Sequence, residues 1–206
     1  MLQDMDNLLA VDIALLPDET LMQRCFDENT QLLAKQEGPH VFDPEHCIPH
    51  LTLTMGVIRR ESLSVLQGRL TEFAQHDAPQ LHARLVSRAL VPANGNSVTE
   101  YVVDRTTELD ALHGRAHDMM GDLIVDEATI DALLQPPVAE PITLEWIKYF
   151  RTKHSGEAYS PHITLGLGGL PQNDESIPFH GSSVALCHLG NYCTCRKILS
   201  SVALKS

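Results

Sequence analysis

The sequence predicts an α+β fold in which short strands and helices alternate along one chain. Three observations carry this: apolar runs of strand length, stripes of helical period between them, and turn residues at many of the junctions. The chain has 206 residues, 43% hydrophobic and 20% charged. That is the balance of a globular protein able to bury a sizeable core. No linker or low-complexity tract divides it, so residues 1–206 are read as one domain.

The elements follow in order. Leu8 to Leu16 (LLAVDIALL) is short and apolar and reads as a buried strand. Pro17-Asp18-Glu19 then opens a helix with Asp18 as its N-cap. Leu21, Met22, Cys25, Phe26, Leu32 and Leu33 form its apolar stripe, up to Gly38. A loop rich in Pro and His leads to the alternating strand His50 to Ile58 (HLTLTMGVI). Glu61 to His76 has helical spacing through Leu63, Leu66, Leu70 and Phe73. Leu81 to Val91 and Val98 to Val103 form a hairpin around Asn94-Gly95-Asn96. Helices are expected over Thr107 to Leu123 and, shorter, over Glu127 to Leu134, before the break at Pro136-Pro137. Ile142 to Phe150 fits helix or strand, and helix is preferred. His162 to Leu167 is a strand resembling the one at His50, and Ser183 to Leu189 with Cys195 to Leu204 form a terminal strand pair.

The charge balance narrows the function. Twenty-seven acidic residues face fifteen basic ones, a net charge of −12. A broad basic track for long nucleic acid is therefore not expected, whereas a local pocket for one or two phosphates is compatible. No apolar run has the length of a membrane span, and the N-terminus lacks a signal-peptide pattern. With five cysteines, an odd number, a reducing cytoplasm is the expected location. Cys187, Cys193 and Cys195 lack Cys-x-x-Cys spacing and read as small buried side chains.

Two segments carry the chemistry. Pro49-His50-Leu51-Thr52-Leu53 and Pro161-His162-Ile163-Thr164-Leu165 share one pattern, Pro-His-aliphatic-Thr-Leu, each at a strand start. Side chains alternate faces along a strand, so each segment presents His and Thr together and sends its aliphatic residues to the opposite layer. Two imidazoles and two hydroxyls on one cleft suit phosphodiester hydrolysis. One neutral His takes a proton from water, and the other, protonated, donates a proton to the leaving oxygen. Free imidazole titrates near ~6.5, so both forms are available close to neutral pH. The hydroxyls donate to non-bridging phosphate oxygens. A lone His-x-Thr means almost nothing; the duplication gives it weight.

At these residues the chain resembles the 2H phosphoesterases, a family marked by two His-x-Thr/Ser motifs about half a chain apart. The resemblance covers nearly the whole chain. It implies two lobes, each a small antiparallel sheet with helices, related by a pseudo-two-fold around a central cleft. It also implies His50 and His162 as the acid–base pair, Thr52 and Thr164 as phosphate donors, and no metal or other cofactor. The implied substrates are 2′,3′-cyclic phosphate RNA ends, ADP-ribose cyclic phosphate or 2′-5′-linked oligonucleotides. Some members are 2′-5′ RNA ligases, so a joining reaction is an alternative to hydrolysis. A nucleotide- or RNA-end-binding module without turnover is another. The expected partner is thus a small nucleotide or short RNA end as substrate, with no long duplex nucleic acid and no membrane, and the chain is expected to be a monomer.

Several other residues compete with blander roles. Arg151, Lys153 and His154, just before the second motif, are candidates to meet a phosphate or are ordinary surface charges. Among Trp146, Tyr149, Phe150 and Tyr159, Tyr159 is the best placed to stack on a base, against the commoner fate of core packing. His113 and His117 stand four apart on a predicted helix, a zinc-compatible spacing that lacks a third ligand. His40 and His46 precede the first motif without a clear role. Gly166-Leu167-Gly168-Gly169 reads as a turn, because no helix follows it to bind phosphate.

Overall fold

The computed structural model describes residues 7–35, 40–76, 82–93, 96–134, 139–171 and 176–204. Their order is β1 (Leu8–Pro17), α1 (Glu19–Ala34), β2 (Leu51–Arg59), α2 (Leu63–His76), β3 (His82–Ala93), β4 (Asn96–Val103), α3 (Thr107–Met120), β5 (Ile124–Val125), α4 (Pro141–Lys153), β6 (His162–Leu167), β7 (Ile177–Leu189) and β8 (Cys195–Ala203). Asp18 caps α1 as expected, accepting the Leu21 amide proton at 2.9 Å. The ambiguous segment after residue 140 is helical, with Pro141 in its first turn where no amide donor is needed.

Two expectations are corrected. The helix over Glu127–Leu134 is a single 3-10 turn, Ile130–Ala132. Leu133 closes the turn by donating to the Ile130 carbonyl, and the amide after it, Leu134, donates to Leu189 of β7 and not back along a helix. Ala132 and Leu133 are buried, so tertiary pairing overrides local helical preference. The short strand β5, pairing with β2 at Val57 and Ile58, has no counterpart in the sequence reading. The turn at Asn94-Gly95 and the break at Pro136-Pro137 lie outside the described residues.

All the strand pairings are antiparallel, in the order β1-β2-β6-β4-β3-β7-β8, with β1 also pairing β7. The two expected sheets are present as two strand groups. One joins β8, β7, β1 and β2; the other joins β3, β4 and β6. They meet where Leu51 of β2 pairs with Ile163 of β6 and where His82–Leu85 pairs with Ile177–His180. The result is one continuous curled sheet. The helices cover it crosswise: α1 packs on β6, α3 and α4 on β2, and α2 on β7 and β8. Leu51, Leu53, Ile163 and Leu165 are fully buried in the core these layers enclose.

At Gly166 the strand β6 passes tightly under α1. Its φ is +144°, and a methyl group there would meet Asn29 Nδ2 at 2.9 Å. Only glycine fits both constraints. No described helix is long and apolar enough to cross a membrane.

Candidate active site

The sheet register brings the two motifs together. Leu51 and Ile163 are paired residues on antiparallel strands. One residue further along in each direction, His50 lies across from Thr164, and Thr52 across from His162. Residues opposite one another share a face, and that face is the reverse of the buried Leu51–Ile163 side. The two histidines and two threonines thus occupy one patch, all four partly accessible.

Both imidazoles are held in the same way. His50 Nδ1 donates to the carbonyl of Ile48 at 2.8 Å, and His162 Nδ1 donates to the carbonyl of Ser160 at 2.8 Å. Each bond reaches back two residues across the motif proline. It fixes the ring and leaves Nε2 for chemistry.

Each Nε2 faces a carboxylate from the neighbouring strand. Asp12 of β1 lies 3.6 Å from His50 Nε2, and Glu100 of β4 lies 3.9 Å from His162 Nε2. A register shift in the ladder stands beside each, at Ile13/Ala14 and at Thr99/Glu100. Across β1, β2, β6 and β4 the pattern therefore reads carboxylate, His and Thr, His and Thr, carboxylate. The halves are not equivalent. Asp12 is wholly buried, and its Oδ2 also accepts the Thr52 hydroxyl proton at 2.6 Å. Glu100 and His162 are more open, at 13% and 36% exposed, against 0% for Asp12 and 13% for His50.

Electrostatics follow that asymmetry. Burial pushes the His50 imidazole down, but the Asp12 carboxylate 3.6 Å away outweighs it and raises the group to about 9. The Glu100 carboxyl is pushed up by burial, partly countered by the charge of His162. At neutral pH His50 is therefore held protonated.

The approach to each motif is clamped by a residue the sequence reading did not single out. Asn29 on α1 accepts the Phe42 amide proton at 2.9 Å and donates to the carbonyls of His40 at 3.1 Å and Leu165 at 2.8 Å. Arg105 donates to the carbonyls of Gly156, Glu157 and Tyr159 at 2.6, 2.8 and 2.8 Å. Asp12 is a further such residue: a carboxylate inside an apolar strand needs a partner and so points to one.

Other sequence candidates lie elsewhere. Tyr159 is buried, stacked on His113 at 3.9 Å, and its hydroxyl donates to the Thr52 carbonyl at 2.8 Å. It braces β2 from behind and has no face left for a base. Arg151 donates to the His117 carbonyl and approaches His117 Nδ1 at 3.1 Å, tying α4 to α3. His113 uses both ring nitrogens, Nδ1 toward the Leu53 carbonyl at 2.6 Å and Nε2 accepting from the Gly156 amide at 3.1 Å. That leaves neither for zinc, and among the described residues no cluster of His, Cys, Asp or Glu is arranged to hold a metal. Trp146 stacks on His154 at 3.7 Å, and the Lys153 ammonium sits over Tyr149 at 3.9 Å. Phe150 is buried. His46 pairs with Asp43 on the surface, and His40 packs edge-on to Tyr192. Gly168, at φ +101°, makes the expected turn after β6. Cys47 and Cys193 are pushed up to about 12, chiefly by burial, as inert packed thiols are.

No family model and no curated protein matches the chain. Solved structures do. TT0787 of Thermus thermophilus is 15% identical, with a TM-score of 0.61, over 95% of this chain and 98% of that one. A crystallised phosphoesterase is 15% identical, with a TM-score of 0.50, over 96% and 99%. E. coli LigT complexed with NADP+ is 16% identical, with a TM-score of 0.52, over 97% and 99%. The chain has the fold of these proteins, as the resemblance at the two motifs implies.

Proposed function

We propose that this chain is a 2H-type phosphodiesterase that hydrolyses a 2′,3′-cyclic phosphate RNA end or a related small nucleotide phosphodiester. The observation that carries the proposal is the Leu51–Ile163 pairing, which sets two identically tethered imidazoles and two threonines on one face. LigT, of the same fold, was crystallised with NADP+, a nucleotide bearing a ribose 2′-phosphate. A phosphomonoester of that kind is what opening a 2′,3′-cyclic phosphate produces. The net charge of −12 also favours a small substrate over a long polyanion.

In this reading His162 Nε2 takes a proton from water as the water oxygen bonds to phosphorus. The P–O bond to the ribose oxygen breaks, and His50 Nε2 gives that oxygen its proton. His50 is the donor because it is the imidazole held protonated. His162 is the acceptor because its carboxylate neighbour is farther and more exposed. Both rings then exchange protons with solvent. Thr164, and Thr52 once its hydroxyl turns from Asp12, donate to the non-bridging oxygens. The scheme requires no metal.

Two results follow. Hydrolysis of a 2′,3′-cyclic nucleotide will show a bell-shaped pH profile. Because His50 is raised above its ordinary value, its donor form persists through neutrality, and the rate falls as pH rises through about 9. A profile that does not fall between pH 8 and 10 contradicts the assignment. Thr52→Ala and Thr164→Ala will each cost roughly tenfold to a hundredfold in kcat, less than loss of either histidine, since each removes one hydrogen-bond donor. Single-turnover rates measure both.

A further inference from the structure

Asp12 is the residue whose placement demands an explanation beyond the paired motifs. A carboxylate in the middle of a fully buried strand is costly unless its charge is answered. Here Oδ2 has two partners from one strand, the Thr52 hydroxyl at 2.6 Å and the His50 Nε2 at 3.6 Å, while Oδ1 is buried without a hydrogen bond. A residue kept only for packing would more cheaply be apolar. Resting on the phosphodiesterase reading, we infer that Asp12 is a positioning residue that holds His50 as the proton donor and so sets the direction of proton flow across the site.

The surroundings isolate Asp12 as the cause. Cys195 of β8 lies within electrostatic reach of His50; Cys187 of β7, Cys193 and Tyr159 lie within that reach of Asp12, and Cys47 within reach of Cys195. Cys187, Cys193, Cys47 and Tyr159 are all pushed up, so they are uncharged in the neutral range. Cys195 alone is lowered, chiefly by the hydrogen bond from Cys187, and it acts on His50 less than Asp12 does. On the other half, Glu100 stands 3.9 Å from His162 and is more exposed. The two carboxylates break the pseudo-two-fold of the motifs and give each imidazole a different task.

The test is Asp12→Asn, which keeps the shape and removes the charge. With His50 near 9, about nine-tenths is protonated at pH 8, against about 3% at the ordinary ~6.5. Because burial then lowers His50 with little to oppose it, the variant should lose at least about thirtyfold in kcat at pH 8 and several-fold less than that at pH 6. A purely structural role would lower the rate equally at both. The second measurement is NMR titration of the His50 ring in the wild-type chain and in the variant. A wild-type value near 9 that falls by about two units or more in the variant is the expected result. A wild-type value at or below 6.5, or no movement in the variant, overturns the inference. The titration needs no substrate, so it reads Asp12 even if cyclic phosphates are not hydrolysed, and the two readings fail separately. If the variant does not fold, the wild-type titration still decides.

Discussion

His50→Ala will lose at least about a hundredfold in hydrolysis of a 2′,3′-cyclic nucleotide, because it removes the proton donor to a poor leaving group. The ribose oxygen departs as an alkoxide unless it is protonated. A substrate whose leaving group needs no proton, such as a nitrophenyl phosphodiester, should therefore be spared much of the loss. The ratio between the two substrates is the reading that identifies an acid, and it is obtained by comparing kcat for both in wild type and variant. Equal losses on both would place His50 in a different role.

His162→Ala will also lose about a hundredfold or more, with the opposite signature. Its loss removes the acceptor for the water proton, so changing the leaving group will not restore the rate. An added small base will. Imidazole supplied in solution should raise turnover by the variant in proportion to its neutral form, while leaving wild type unchanged. The side chain is 36% exposed, open enough for such a base to reach the gap. Rescue that tracks the protonated form of imidazole would reverse the assignments of the two histidines.

Much of this site was legible in the residue order. The alternation in His50-Leu51-Thr52-Leu53 and His162-Ile163-Thr164-Leu165 predicts one polar and one buried face, and the burial of Leu51, Leu53, Ile163 and Leu165 agrees. The α+β order and most element bounds follow from local period and capping, as at Asp18 and at β6. What did not follow was anything fixed by contact at long range. The chain leaves the turn at Ile130–Ala132 with the Leu134 amide taken up by Leu189, and β5 forms by pairing with β2. Tyr159 and Arg151 sit close to the second motif in sequence, yet the chain buries one behind β2 and spends the other on α3. Asp12 and Glu100 stand far from their histidines in sequence and reach them only through sheet pairing. The sequence nevertheless held a clue in Asp12, a single charge inside LLAVDIALL.

The measurement that bears most directly on two-histidine catalysis compares wild type with the His50→Ala/His162→Ala double variant on 2′,3′-cyclic nucleotides and short RNAs with cyclic-phosphate ends, in EDTA. Turnover by wild type that vanishes in the folded double variant is the predicted result. Turnover that persists in the double variant, or that EDTA abolishes in wild type, would contradict it.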